Sequence, residues 1–214
     1  MSTVSNTVMN KGVIRLNRLF TLISSGVLSL LLASGCATVT NGTDTTTNGT
    51  SAAKPKLAFQ NRTRELVVTP DTKVDPSPAT DVDYTHVSVL TAAGKRVVLD
   101  ARQTPILFVA YWCPHCQRTL ELLSSHKSEL SRLPVIVNVG FPKNTELQEA
   151  VQVEAEETKQ LNLHGFQMYY ALDPAAGDKY APQGYPTLAY ENVRGIQTLF
   201  GEHTLSVWTS VLGL

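Results

Sequence analysis

Pro105-Ile106-Leu107-Phe108-Val109-Ala110-Tyr111 is an apolar run with no polar alternation. A strand of that pattern is buried on both faces, as in a mostly parallel sheet, so a layer must pack on each side of it. Trp112-Cys113-Pro114-His115-Cys116 follows at once. From Gln117 to Leu130 a helical period takes over, with Leu120, Leu123 and Leu130 on one face and Leu122 and Leu133 near its edge. Glu121, His126, Lys127 and Glu129 lie largely opposite. Strand, dithiol and helix in that order put two sulfurs at a strand-to-helix junction.

The flanking segments extend the same pattern. His86-Val87-Ser88-Val89-Leu90 alternates, meets the turn Ala93-Gly94-Lys95 and continues as Arg96-Val97-Val98-Leu99, which reads as a β-hairpin. Pro134 to Val139 is a second buried strand. Thr145-x-x-Gln148 resembles a capping box, and Leu147, Val151 and Ala155 then step at four residues. Glu146, Glu149, Glu154, Glu156 and Glu157 are expected to form that helix's solvated face. Gln167 to Ala171 reads as a strand and Asp173 to Tyr180 as a short helix or turn. Thr187 to Glu191 and Gly195 to Phe200 form a terminal hairpin, and His203 to Gly213 closes the chain as an amphipathic helix. Between Lys54 and Asp83, Leu66-Val67-Val68 suits a short strand, and Pro70, Pro76 and Pro78 break the rest.

The N-terminus reads differently. Residues 1–18 carry Lys11, Arg15 and Arg18 and no acid, and Phe20 to Ala33 is mostly apolar. That is a positive region followed by an apolar stretch of signal-peptide length, short of the ~20 apolar residues that span a bilayer. Leu32-Ala33-Ser34-Gly35-Cys36 closes it and resembles the lipobox of bacterial lipoproteins, with Ala33 where Leu is commoner. The resemblance implies that 1–35 is a lipoprotein signal peptide and that Cys36 is lipidated; an uncleaved signal anchor is the other reading. Several fatty chains give stable anchoring where one is marginal. Residues 36–53 are Thr/Asn/Gly/Ser-rich and read as a flexible tether, 54–81 as an ambiguous extension, and 82–214 as the folded domain.

Of the three cysteines, only Cys113 and Cys116 are spaced as C-x-x-C. Pro114 is a natural first helical residue, so Cys113 would lie where unpaired N–H groups and the positive end of the helix dipole stabilise a thiolate. His115 can add charge or donated hydrogen bonds, and stabilising the thiolate makes the disulfide more oxidising. Cys113 is thus the candidate nucleophile, Cys116 the resolving thiol, and Trp112, Pro114 and His115 the tuning residues. A structural zinc site would need two remote ligands from His86, His126, His164 or His203. Haem attachment requires histidine after the second cysteine, and Gln117 stands there. An inert structural disulfide stays open.

Tyr111-Trp112-Cys113-Pro114-His115-Cys116 after a buried strand resembles the thioredoxin superfamily. About seventy residues on, Gly184-Tyr185-Pro186-Thr187-Leu188 resembles its cis-proline loop, and Gly201 fits the glycine before its last helix. The layout is similar to membrane-tethered TlpA/ResA-type oxidoreductases, whereas Pro114-His115 is like the pair in DsbA-type oxidases. The resemblance implies a thioredoxin-like three-layer α/β/α sandwich with a central mixed β-sheet and an N-terminal β-hairpin extension. It also implies a cis Pro186 packed on the sulfurs and a Tyr185 backbone that hydrogen-bonds a substrate strand. Two family acids are missing: Leu107 stands six residues before Cys113, and Thr119 three after Cys116. No obvious proton-transfer group replaces them in the sequence.

These readings converge on thiol–disulfide exchange with exported proteins at the outer face of the bacterial cytoplasmic membrane, or of an envelope membrane. The dithiol is the redox centre, no separate cofactor or metal is expected, and an unidentified redox partner recharges it. Balanced charge, with 18 basic and 18 acidic residues, gives no support to nucleic-acid binding. Two alternatives remain: a lipoprotein that binds copper or zinc on the same scaffold, and a non-catalytic surface lipoprotein with an inert disulfide.

Overall fold

The computed structural model describes residues 57–213. The expected signal peptide 1–35, Cys36, the tether and the first residues of the extension lie outside the described residues, as does Leu214. The described strands are β1 (Ser77–Pro78), β2 (Val87–Leu90), β3 (Arg96–Leu99), β4 (Ile106–Val109), β5 (Val135–Asn138), β6 (Met168–Tyr170), β7 (Thr187–Asn192) and β8 (Gly195–Phe200). The helices are α1 (Pro114–Ser125), α2 (Leu147–Leu161), α3 (Ala176–Tyr180) and α4 (Leu205–Leu212).

The strands form one mixed sheet in the order β1-β8-β7-β4-β5-β6-β2-β3. β4 lies at its centre, parallel to β5 and antiparallel to β7. Every residue of β4 is fully buried, as its unbroken apolar run requires. Successive side chains still go to opposite faces. Leu107 and Val109 pack with Ile136, Tyr170 and Leu188 under α1, α2 and α4. Ile106 and Phe108 pack with Val135, Val137 and Ala189 against Tyr84 and the α3 residues Ala176 and Tyr180. This is the expected thioredoxin-like α/β/α sandwich. The β2–β3 hairpin pairs Val87 with Leu99 and Leu90 with Arg96, and joins the sheet edge where Leu90 meets Tyr170.

Four local expectations fail. Leu66-Val67-Val68 is exposed and forms no strand; the extension instead pairs through β1, whose Ser77 and Pro78 face Thr198 and Gln197 of β8. Asp71 also bridges to His203. α1 stops at Ser125, and a 3-10 turn, Lys127–Glu129, carries the chain to Leu130. The start of α2 is one residue later than expected: the Glu146 N–H donates to the Glu149 carboxylate at 3.1 Å, while the Thr145 hydroxyl donates to the Pro142 carbonyl. Finally, α2 buries Ala150, Val153, Glu154, Glu157 and Leu161, and Ala155 is exposed. That stripe keeps helical spacing, but two of its members are acids, so counting apolar residues alone rotates the helix wrongly.

Candidate active site

Cys113 caps α1 with an extended backbone (φ −86°, ψ 116°), and Pro114 is the first helical residue. The Cys113 N–H donates to the Ala110 carbonyl at 2.9 Å, and the Gln117 N–H donates to the Cys113 carbonyl at 3.1 Å. Backbone bonds on both sides of Cys113 therefore fix it at the helix N-terminus. Its thiol is pulled down to about 6, chiefly by a hydrogen bond from Cys116, against the opposing effect of burial. The backbone N–H groups of Cys116 and His115 and the His115 ring add to the pull. Cys116 is fully buried, and its sulfur accepts the Ala110 N–H at 3.5 Å. Burial first, then the neighbouring Cys113, pushes its thiol well up. One sulfur is thus mostly thiolate at neutral pH while the other keeps its proton.

Two aromatic residues form the rim. The Trp112 ring is 42% exposed and stands edge-on to Tyr185, with ring centroids 6.0 Å apart. Its indole N–H donates to the Gly140 carbonyl at 2.9 Å. Gly140 has a φ of +70°, and a Cβ there would lie 3.4 Å from the indole, so the turn after β5 doubles as a seat for Trp112. The Tyr185–Pro186 bond is cis, and the Tyr185 carbonyl lies 3.8 Å from Cys113 Sγ. The Gly201 N–H donates to the Pro186 carbonyl at 2.9 Å, which ties the cis-proline loop to the end of β8. The fold therefore brings Trp112, Cys113, Pro114, His115, Cys116, Tyr185 and Pro186 into one locality.

Sequence inspection missed a second set of residues. His115 Nδ1 meets the Glu202 carboxylate, which Arg118 also grips, with its Nε 3.0 Å from Oε2. Arg118 further donates to the carbonyls of Thr63 (3.1 Å), Glu65 (2.6 Å) and Leu66 (3.0 Å). Gln117 is fully buried: its side-chain amide donates to the Gln60 and Tyr111 carbonyls, and its carbonyl accepts the Arg62 N–H at 2.6 Å. Arg62 Nη1 donates to the Trp112 carbonyl at 2.9 Å. The segment from Gln60 to Leu66 is thus strapped over the start of α1. Arg118 and His115 are one helical turn apart, which the sequence could have shown; Glu202 and the strap are too remote in the chain to leave a signal.

Behind the dithiol, Leu107 and Thr119 are buried where the family acids would stand. A different carboxyl is there. Glu157 is 1% exposed, contrary to its expected place on a solvated face, and its Oε1 has no hydrogen-bond partner. Burial first, then the charges of Glu154 and Cys113, pushes it up to about 8. Glu154 beside it is satisfied by the hydroxyls of Tyr170 (2.8 Å) and Thr158 (2.5 Å).

Three of the four remote histidines have other partners, and the fourth, His164, is exposed. His86 pairs with Asp83, His126 with Glu129, and His203 Nε2 lies 3.0 Å from the Phe200 carbonyl. Among the described residues, no three His, Cys, Asp or Glu side chains converge as a metal site, and no helix is long and apolar enough to cross a membrane.

No family model and no curated protein matches the sequence. Among solved structures, the chain is similar to a secreted disulfide oxidoreductase of Mycobacterium tuberculosis homologous to E. coli DsbE. That pair is 15% identical over 61% of this chain and 98% of that one, with a TM-score of 0.45. It is similar to the exposed lipoprotein thioredoxin of Streptococcus pneumoniae at 19% identity, over 60% and 98% of the two chains, with a TM-score of 0.44. StoA from Bacillus subtilis is 19% identical over 62% and 98%, with a TM-score of 0.44. The likeness is one of architecture, and the chemistry assigned to this chain rests on its own residues.

Proposed function

We propose that the chain is an exported, lipid-anchored thiol–disulfide oxidoreductase that exchanges disulfides with exported proteins through Cys113 and Cys116. The observation that carries this reading is the asymmetry of the pair, with a stabilised thiolate at the helix N-terminus and a protonated thiol behind it. Cys113 attacks a substrate disulfide, and one substrate sulfur leaves with the electron pair. Cys116 then attacks Cys113 Sγ, forms the Cys113–Cys116 bond and releases the second substrate sulfur. The substrate gains two electrons and the protein loses them; the same steps in reverse oxidise a dithiol substrate.

Trp112 and Tyr185 frame the entry, and the Tyr185 backbone beside Cys113 is placed to meet an extended substrate strand. A depressed Cys113 pKa favours the reduced form, so the couple lies toward the oxidising side of the thioredoxin range. Anchoring rests on Leu32-Ala33-Ser34-Gly35-Cys36 after a basic, then apolar leader. A partner that resets the dithiol is required for turnover.

The test is insulin reduction together with trapping in cells. Wild type should turn over, Cys113→Ser should not, and Cys116→Ala should accumulate mixed disulfides through Cys113. Absence of both turnover and trapped species would leave an inert pair. Cys36→Ser should abolish labelling by a radioactive fatty acid; retained label would exclude Cys36 as the anchor.

A further inference from the structure

Three buried polar atoms without a partner, Glu157 Oε1 and both amide atoms of Asn138, lie on the sheet face that carries Cys116. The register fixes this. Val109, Asn138 and Tyr170 are cross-strand partners on β4, β5 and β6, so their side chains share a face. Val109 and Tyr170 belong to the core beneath α1 and α2, which also contains Cys116. Cys116 Sγ accepts the N–H of Ala110, the residue after Val109. On α2, Glu154 is fixed over the row by the Tyr170 hydroxyl, and Glu157 is on the same stripe one turn later. Asn138 is 1% exposed, so neither it nor Glu157 meets bulk water.

Orphaned polar atoms are costly and uncommon in a native core. A structural role alone would be better served by an apolar pair, since each group left unsatisfied costs stability. Glu157 is coupled electrostatically to both sulfurs of the dithiol and to Glu154. The titratable groups that act on it are Cys113 at the cap of α1, Cys116 on α1 and Glu154 on its own helix; Tyr170 on β6 bonds Glu154, and Asn138 on β5 is the cross-strand partner of Tyr170.

We infer that Glu157, with Asn138 lining the path, is the proton acceptor for Cys116 in the resolving step. This rests on the oxidoreductase reading above. In the mixed disulfide, Cys113 Sγ is bonded to a substrate sulfur. The Cys116 S–H gives its proton to the Glu157 carboxylate, directly or through one water bonded to the Asn138 amide. The resulting thiolate attacks Cys113 Sγ; the intramolecular disulfide forms, and the substrate sulfur leaves with its electron pair and takes a proton from solvent. When a reductant opens the Cys113–Cys116 bond, Glu157 returns a proton to Cys116. Bonding Cys113 Sγ to the substrate removes the Cys113 charge that helps hold Glu157 up at about 8, so the ionised carboxyl becomes available to take the proton, and the protonated group can return it.

The experiment is single-turnover exchange with a disulfide-bonded peptide, quenched and resolved by mass. Glu157→Gln should leave formation of the first mixed disulfide unchanged and slow its resolution about 10²-fold at neutral pH. The deficit should close at high pH, where Cys116 loses its proton unaided. Glu157→Asp should recover part of the rate. Resolution by Glu157→Gln at the wild-type rate and with the wild-type pH profile would overturn the inference. Where the glutamine variant does not fold, carboxyl NMR titration of the wild-type protein decides: Glu157 should titrate far above an ordinary glutamate and shift when the dithiol is oxidised. An ordinary titration, or one insensitive to redox state, would overturn it equally. If the wild type forms no mixed disulfide at all, it is the oxidoreductase reading that fails.

Discussion

Replacing Glu157 with glutamine should change how stability depends on pH, by an amount that follows from its burial. A glutamate in an unfolded chain titrates near 4.5, and in the fold Glu157 is pushed up to about 8. Between those values the native state holds a proton that the unfolded state has released, so stability falls as pH rises. Each pH unit is worth about 1.36 kcal/mol, which gives a loss on the order of 4–5 kcal/mol by the upper end. That is a large share of the 5–15 kcal/mol typical of a domain. Cys113 works in the opposite sense in the reduced protein. Its pKa falls from 9.0 to about 6, so the stability it contributes is present above the unfolded value and lost as pH falls through the folded one. Oxidising the pair removes both thiols and isolates the carboxyl; burial, the first cause of the Glu157 shift, persists. The assay is urea unfolding of the oxidised protein between about pH 5 and 9, wild type against Glu157→Gln. Wild type should lose on the order of 3–5 kcal/mol more than the variant across that range, with the urea slope unchanged. Parallel curves would refute a buried, titrating Glu157.

Glu202→Gln removes a carboxylate from beside His115 and leaves Arg118 uncompensated, which favours the Cys113 thiolate; the reduction potential should rise by tens of millivolts, since about 30 mV corresponds to 1.4 kcal/mol. His115→Pro should lower it, measured in the same glutathione titration, and an unchanged potential in both would remove this network from the tuning of the pair. Arg118→Ala leaves the Glu202 carboxylate, with a side chain 6% exposed, held by His115 alone and frees three strap carbonyls, so it should cost about 2–3 kcal/mol and raise hydrogen exchange from Gln60 to Leu66. Wild-type protection in that segment would mean that Arg118 does not hold the strap.

The centre of the molecule was legible because its signals are local. The unbroken apolar run of β4, the Pro114 helix start and the C-x-x-C spacing each carry a physical constraint within a few residues of one another, and the fold follows them. The resemblance at Gly184 to Leu188 implied a cis Pro186, and the Tyr185–Pro186 bond is cis. What stayed hidden depends on partners far along the chain. Glu202 reaches His115 across 87 residues, and Gln60 meets Gln117 across 57. Glu157 was obscured for another reason. Acids are almost never fully buried without a partner, so a run rich in glutamate reads as a wet face. The rule failed where the core beneath α2 is polar, beside Asn138 and Tyr170, close to the dithiol.

The central claim is that Cys113 is a thiolate at neutral pH while Cys116 stays protonated behind it. Alkylation of the reduced protein by iodoacetamide, followed over pH and mapped by mass, measures this directly. Modification should appear at Cys113 with a midpoint near 6, and Cys116 should stay unlabelled throughout the neutral range. A midpoint near 9, or first labelling at Cys116, would contradict the assignment of the nucleophile and the chemistry built on it.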